Sequence, residues 1–230
     1  PESGALIMGE RARLRQTVRK GRWCAGGYGR LLDTKDGYIA LNLVREDDWD
    51  LVPAWLEDNV TDWEGIARTV KRRSADDLVA RAAEMGLAVA KKALPPRPQE
   101  WFKIQHFKPG DVPEAPLVVD LSGLWAGPLA SSLLQMMGAH VIKIEGPNRP
   151  DGMREGHAGF YSLLNAGKSC VALDFGEAED FSKLKQLLHK ADVVIEASRP
   201  RALKQLGLIA EDFVSDKPGK IWARLTAYGQ

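Results

Sequence analysis

The stretch DLSGLWAGPLASSLLQMMGAHVIKIE, residues 120–145, decides the fold. It opens on the last residues of an apolar run, turns through Ser122-Gly-Leu-Trp-Ala-Gly-Pro128, continues as a helical pattern, and ends in a second apolar run closed by Glu145. Strand, glycine turn, helix, strand is the unit from which parallel sheets are built. Pro128 suits a first helical turn, where its missing amide costs nothing. The amides left free at such a helix start attract a phosphate or carboxylate.

The pattern repeats downstream. Apolar runs Leu117 to Leu121, Val141 to Ile144, Val171 to Phe175, Val193 to Ala197 and Ile221 to Thr226 alternate with helical stretches such as Phe181 to Leu188. This predicts an α/β domain with a Rossmann-like parallel sheet and helices on both faces, its crossovers right-handed. Ligands of such sheets sit beyond the carboxyl ends of the strands. That rule points to the loops at Ser122 to Pro128, Gly146 to His157, Gly176 to Ala178 and Ser198 to Ala202.

Upstream, Gly29 to Asp33 and Tyr38 to Leu43 flank Thr34-Lys-Asp-Gly37, a hairpin signal. Helical spacing follows at Trp49, Val52 and Leu56. Ser74 and Asp77 read as a cap leading into Leu78, Val79, Ala82 and Met85. Leu87 to Ala90 reads as a short closing strand. Residues 1–93 are therefore expected to form a small α+β domain, 94–116 a Pro-rich linker, and 117–230 the sheet domain, incomplete at its C-terminus.

Composition narrows the function. The 230 residues are 44% hydrophobic and 27% charged, enough to bury a sizeable core, and 32 Lys plus Arg nearly cancel 31 Asp plus Glu. No basic run provides a footprint for nucleic acid or an anionic membrane. No apolar run reaches the roughly 18 residues of a membrane helix. Cys24 and Cys170 are far apart, with neither metal-ligand spacing nor a disulfide framework. A cytoplasmic protein with reduced thiols, no metal and no membrane or nucleic-acid partner is expected.

The turn by itself leaves alternatives open. A strand, a glycine turn, a helix and an acid about twenty residues on outline a dinucleotide fingerprint. The glycines here are spaced G-x-x-x-G, however, and Trp125 and Pro128 stand where a pyrophosphate would need bare backbone. A nucleotide-like anion site, a purely structural turn and an NAD site all fit the pattern.

Four ordered blocks carry a resemblance. They are Val118 to Pro128, Met137-Gly-Ala-His-Val-Ile-Lys-Ile-Glu145, Leu164-Asn-Ala-Gly-Lys-Ser-Cys-Val-Ala-Leu-Asp174, and Ala191 to Leu203 with Leu206-Gly207. Together they resemble the family III CoA-transferases, the CaiB/BaiF family that includes formyl-CoA transferase and α-methylacyl-CoA racemase, over about Pro116 to Gln230. More weakly, Thr34-Lys-Asp-Gly-Tyr-Ile39 resembles a hairpin of that family's small domain. The family's order is nucleotide fold first, so this chain reads as permuted or as excised from the junction of two units.

The resemblance implies that CoA, as a substrate, binds through its 3′,5′-ADP end at the strand ends. The positions carried over are Gly123, Trp125 and Ala126 in the turn, Asn165 and Lys168 before the third strand, Leu173, Asp174 and Phe175 at its end, and Ala197, Ser198 and Arg199 after the fourth. Lys168, Arg199, Arg201 and Lys204 are the cations expected to meet phosphate. Two departures stand out: Gln205 occupies the place of a family arginine, and Glu145-Gly-Pro-Asn-Arg149 leaves Arg149 or Arg154 to supply another cation.

The implied chemistry is CoA transfer between an acyl-CoA and a carboxylic acid through an aspartyl intermediate. The family's nucleophile lies beyond the segment Arg224 to Gly229, so no catalytic residue is assigned within this chain. Asp120 and Asp174 occupy places that are structural in the family, and His157 is not the family's racemase base. Racemisation, a non-catalytic CoA-binding or structural module, and NAD-dependent oxidation are the alternative activities. A homodimer, or dependence on a remainder of the protein, is expected.

Overall fold

The computed structural model describes residues 4–92, 102–111, 113–156, 158–198 and 202–226. Its contacts divide the chain into two compact units, Pro1–Trp101 and Phe102–Gln230.

In the first unit, helix α1 (Gly4–Leu14) precedes strands β1 (Gly29–Asp33) and β2 (Tyr38–Asn42), helices α2 (Glu46–Leu56), α3 (Trp63–Val70) and α4 (Ala75–Met85), and strand β3 (Ala88–Lys91). The three strands form an antiparallel sheet in the order β1-β2-β3. The hairpin forms where Thr34-Lys-Asp-Gly37 predicts it, with Asp33 paired to Tyr38. Asp36 in that turn accepts bonds from the Ala75 amide (2.8 Å) and the Ser74 hydroxyl (2.9 Å), so the hairpin turn also caps α4. Alternation along β2 buries Ile39 and Leu41 against Val52, Trp55, Leu56, Ile66, Val70, Leu78 and Ala82 from the helices. The Trp55 indole satisfies its N–H inside this core on the Leu78 carbonyl, at 2.9 Å.

The second unit runs β4 (Leu117–Leu121), α5 (Ala126–Met136), β5 (His140–Glu145), α6 (Ala158–Asn165), β6 (Ser169–Ala172), α7 (Ala178–Lys190), β7 (Val193–Glu196), α8 (Ala202–Gln205), α9 (Ala210–Asp216) and β8 (Ile221–Arg224). Its five strands lie in the order β6-β5-β4-β7-β8. Every pairing is parallel. Strand order therefore reverses beside β4, the arrangement of a doubly wound sheet. Successive residues of β4 face opposite layers. Val118 packs with Val141, Ile195 and the α5 residues Ala130 and Leu134. Val119 packs with Leu184 and Leu188 of α7 and Phe213 and Val214 of α9. The expected α/β class, with helices on both faces and a small α+β unit before it, is the observed one.

The third strand differs from expectation in position. It runs from Ser169 to Ala172, not from Val171 to Phe175. Pairing with β5 sets this register, placing Ser169 opposite Ile142 and Ala172 opposite Glu145. Leu173 and Phe175 are apolar because they leave the strand and join the α7 layer, which a pattern of apolarity cannot distinguish from a buried strand. From the Pro-rich stretch, Lys108 accepts a bond from the Gly219 amide at 3.2 Å. Gly110 lies so close that a Cβ on it would come within 2.6 Å of the Gly219 backbone nitrogen.

Candidate functional site at the carboxyl ends of the parallel strands

Because all five strands are parallel, the loops after β4, β5, β6 and β7 open at one end of the sheet. The turn after β4 is built by close approach. Gly127, the second residue of α5, faces Ser122 so tightly that a Cβ there would overlap the serine side chain, and it would also lie 3.1 Å from Leu225 Cδ1. The second glycine of G-x-x-x-G thus serves packing between helix and turn. Between them Leu124 takes a left-handed backbone with φ of 66°, costly for a leucine, and its side chain is exposed.

Two buried ion pairs lie under this turn. Asp120, with no exposed surface, accepts from the Ser122 amide at 2.9 Å and from the hydroxyls of Ser122 and Ser131. The Lys168 ammonium lies 3.4 Å from Asp120, donates to the Pro128 carbonyl (2.8 Å) and Ser131 Oγ (2.7 Å), and is 3.1 Å from Asn165 Oδ1. Burial pushes this ammonium's pKa down, against the opposing pull of Asp120. The second pair joins Lys143 and Asp151 at 3.0 Å, both side chains essentially inaccessible. Lys143 donates to the Ser122 carbonyl at 2.8 Å. Asp151 Oδ1 accepts from the amides of Leu124 (2.9 Å) and Met153 (3.0 Å). Burial works to raise the Asp151 carboxyl, but these two amides and Lys143 outweigh it and hold the group below its ordinary value.

Glu145 ends β5. Its carboxylate accepts two bonds from Arg154 (2.8 and 3.0 Å), one from the Asp151 amide (2.8 Å) and one from the Tyr161 hydroxyl (2.9 Å). Partial burial raises its pKa, yet the Arg154 fork, the Asp151 amide and the Tyr161 hydroxyl prevail and hold it at about 2. Burial and the adjoining Glu145 push the Tyr161 phenol upward. Both Glu145 oxygens are thus engaged by protein groups, unlike the acid of a dinucleotide fingerprint, which meets a ribose.

The positions marked from sequence distribute as follows. Gly123, Trp125 and Ala126 lie together at the start of α5, with Trp125 half-buried and edge-on to Phe160 at 5.7 Å between centroids. Asp174 Oδ2 accepts from Asn148, in the loop after β5, at 3.2 Å. Its Oδ1 accepts the Gly176 amide at 2.9 Å. Leu173 is in the core and Phe175 packs against it. Asn165 and Lys168 turn their polar atoms inward to the Asp120 network. Ala197 is exposed, and Ser198 donates to Glu196 at 3.2 Å. Lys204 is exposed on α8. Arg199, Arg201 and His157 lie outside the described residues. Arg154 is committed to Glu145, and Arg149 is the exposed cation of its loop.

Sequence reading missed Lys143 and Asp151. The available signal was a lysine inside an apolar strand, which is buried only when paired. Among the described residues no group of three or more His, Cys, Asp or Glu side chains is arranged to hold a metal ion, and no helix is long and apolar enough to cross a membrane.

A doubly wound parallel sheet with a strand-turn-helix at its carboxyl edge defines the class of this unit. Residues 114–230, half of the chain, match CoA-transferase family III, and the chain belongs to that family. Over 120 residues it is 38% identical to a probable fatty acyl-CoA transferase, Rv3272, of Mycobacterium tuberculosis, covering 49% of this chain and 30% of that protein. It is 31% identical over 120 residues to acetyl-CoA:oxalate CoA-transferase of Acetobacter aceti, covering 50% and 31%. The crystal structure of Rv3272 aligns at 37% identity with a TM-score of 0.47, over 53% of this chain and 35% of the other. The chain spans less than a third of the length of the curated relatives it matches.

Proposed function

We propose that this chain is the CoA-binding part of a family III CoA-transferase. The nucleotide end of CoA lies on the loops after β4, β6 and β7, with its anionic groups toward the turn of Gly123, Trp125 and Ala126. Arg199, Lys204 and Ser198 meet it from the loop after β7, and the backbone of Leu173, Asp174 and Phe175 from the loop after β6. Lys168 and Asn165 act beneath the turn, tying Pro128 and Ser131 of α5 to Asp120 of β4. The observation that carries this reading is the family match over residues 114–230, which spans every loop at the open end of the sheet.

An aspartate outside these residues, from the rest of the protein or from a partner chain, attacks the acyl-CoA carbonyl and expels the CoA thiolate, leaving a mixed anhydride. The thiolate returns to the aspartyl carbonyl and releases the first acid, and the acceptor carboxylate then collects CoA by the same two steps in reverse. Backbone amides stabilise each tetrahedral oxyanion. The names of both relatives given above are those of transferases, which supports transfer over racemisation.

Calorimetric titration with CoA, dephospho-CoA and NAD tests the binding reading. CoA is expected to bind, to weaken on loss of its 3′-phosphate, and NAD to give no response. Equal binding of CoA and dephospho-CoA, or none of either, would refute the placement of the nucleotide end.

A further inference from the structure

We propose that Asp151 and Lys143 are positioning residues of the CoA site, setting the backbone of the turn Ser122–Trp125 through the bonds Asp151 Oδ1 to Leu124 N–H and Lys143 Nζ to Ser122 O; this rests on the function proposed above. Neither residue touches the open end of the sheet, since both side chains are buried. Together they hold the turn at both ends, the carbonyl of Ser122 and the amide of Leu124. Leu124 lacks glycine's freedom, so its left-handed backbone persists only because a partner fixes it. Asp151 is that partner, and Gly123 lies directly over its carboxylate, where a Cβ would come within 3.5 Å of the carboxyl carbon.

The pairing of charges has a separate reason. An acceptor for the Leu124 amide could be neutral, and a buried ion pair carries a desolvation cost that an apolar pair avoids. A carboxylate alone under the turn would repel an anion bound above it, because Coulomb energies at a few ångströms are large in a partly dry site. Lys143, in contact with the same carboxylate, cancels that charge. The turn therefore meets a phosphate over a neutral support. Asp151 also accepts from the Met153 amide within its own loop, so its bond to Leu124 ties an ordered loop after β5 to the turn after β4.

Two double variants separate this role from stability. Lys143→Met/Asp151→Asn removes both charges and keeps an acceptor for Leu124, whereas Lys143→Met/Asp151→Leu removes both charges and the acceptor. Amide exchange at Leu124, compared with Val119 and Val194 in the core, reads the turn without ligand, and titration with CoA reads the site. Leu124 is expected to exchange faster in the leucine variant than in the asparagine variant while the core amides match. CoA is expected to bind the asparagine variant about tenfold more tightly, the effect of one hydrogen bond of about 1.4 kcal/mol. If the leucine variant does not fold by circular dichroism, Lys143→Met/Asp151→Ala takes its place, equally without an acceptor.

Equal Leu124 exchange in the two variants, or different exchange with equal CoA affinity, would overturn the positioning role. Failure of the unsubstituted chain to bind CoA overturns the function proposed above, and Leu124 exchange then decides whether Asp151 sets the turn.

Discussion

At the scale of single residues, Asp120, Glu145 and Asp151 are already engaged by protein groups. Glu145 is held at about 2 against an ordinary 4.5, so it contributes stability that is present above pH about 4.5 and is lost as pH falls toward 2. Glu145→Gln should remove that part of the acid slope: urea midpoints of variant and wild type measured from pH 5 down to 3 should converge as pH falls. A constant gap would show that the carboxyl titrates alike in the folded and unfolded chain, without the lowered value. Lys168 makes a second case. Replacing it with Met leaves Asp120 buried without its cation, a change that costs about 3–5 kcal/mol. Lys204→Met, at an exposed position, should change stability by less than about 0.5 kcal/mol, so the two denaturation curves should separate clearly. Lys168 was legible as a cation near the third strand. Its inward direction was not, because it depends on where Asp120 and Ser131 sit in two other elements.

At the scale of elements, the strand-turn-helix of residues 117–136 was readable because hydrophobic period and turn chemistry agree. Its second glycine was readable only as a turn residue. The structure gives it a different duty, admitting Ser122 against the first turn of α5. Gly127→Ala therefore should destabilise the protein by about 1–3 kcal/mol through overpacking, although alanine favours helices in general. Gly123→Ala meets only ordinary contact distances from Asp151 and should cost less; chemical denaturation of the two variants side by side tests the ranking. Helices α1, α3, α6, α8 and α9 went unnamed in the sequence. The last four are short, four to eight residues, and short helices owe their stability to packing more than to propensity.

At the scale of the whole chain, the two units have separate cores, with no buried residue in common. Ile66 is fully buried in the core of the first unit. Ile66→Ala is expected to cost about 2–5 kcal/mol in the unfolding of the first unit and to leave CoA affinity unchanged. A fall in affinity in the folded variant would show that the first unit contributes to the site.

The sequence by itself determined the class of each unit and marked one end of the sheet as the candidate site, because strand and helix periods and turn residues are local properties of the chain. It also carried the family, through ordered blocks that survive in any linear reading. Tertiary structure alone decided which charged groups face the ligand side and which face inward. Lys143 pairs with a residue eight positions on, and Lys168 with one forty-eight positions back. Whether such an ammonium meets solvent or a buried carboxylate depends on the register of β4, β5 and β6, a long-range property that no local pattern encodes.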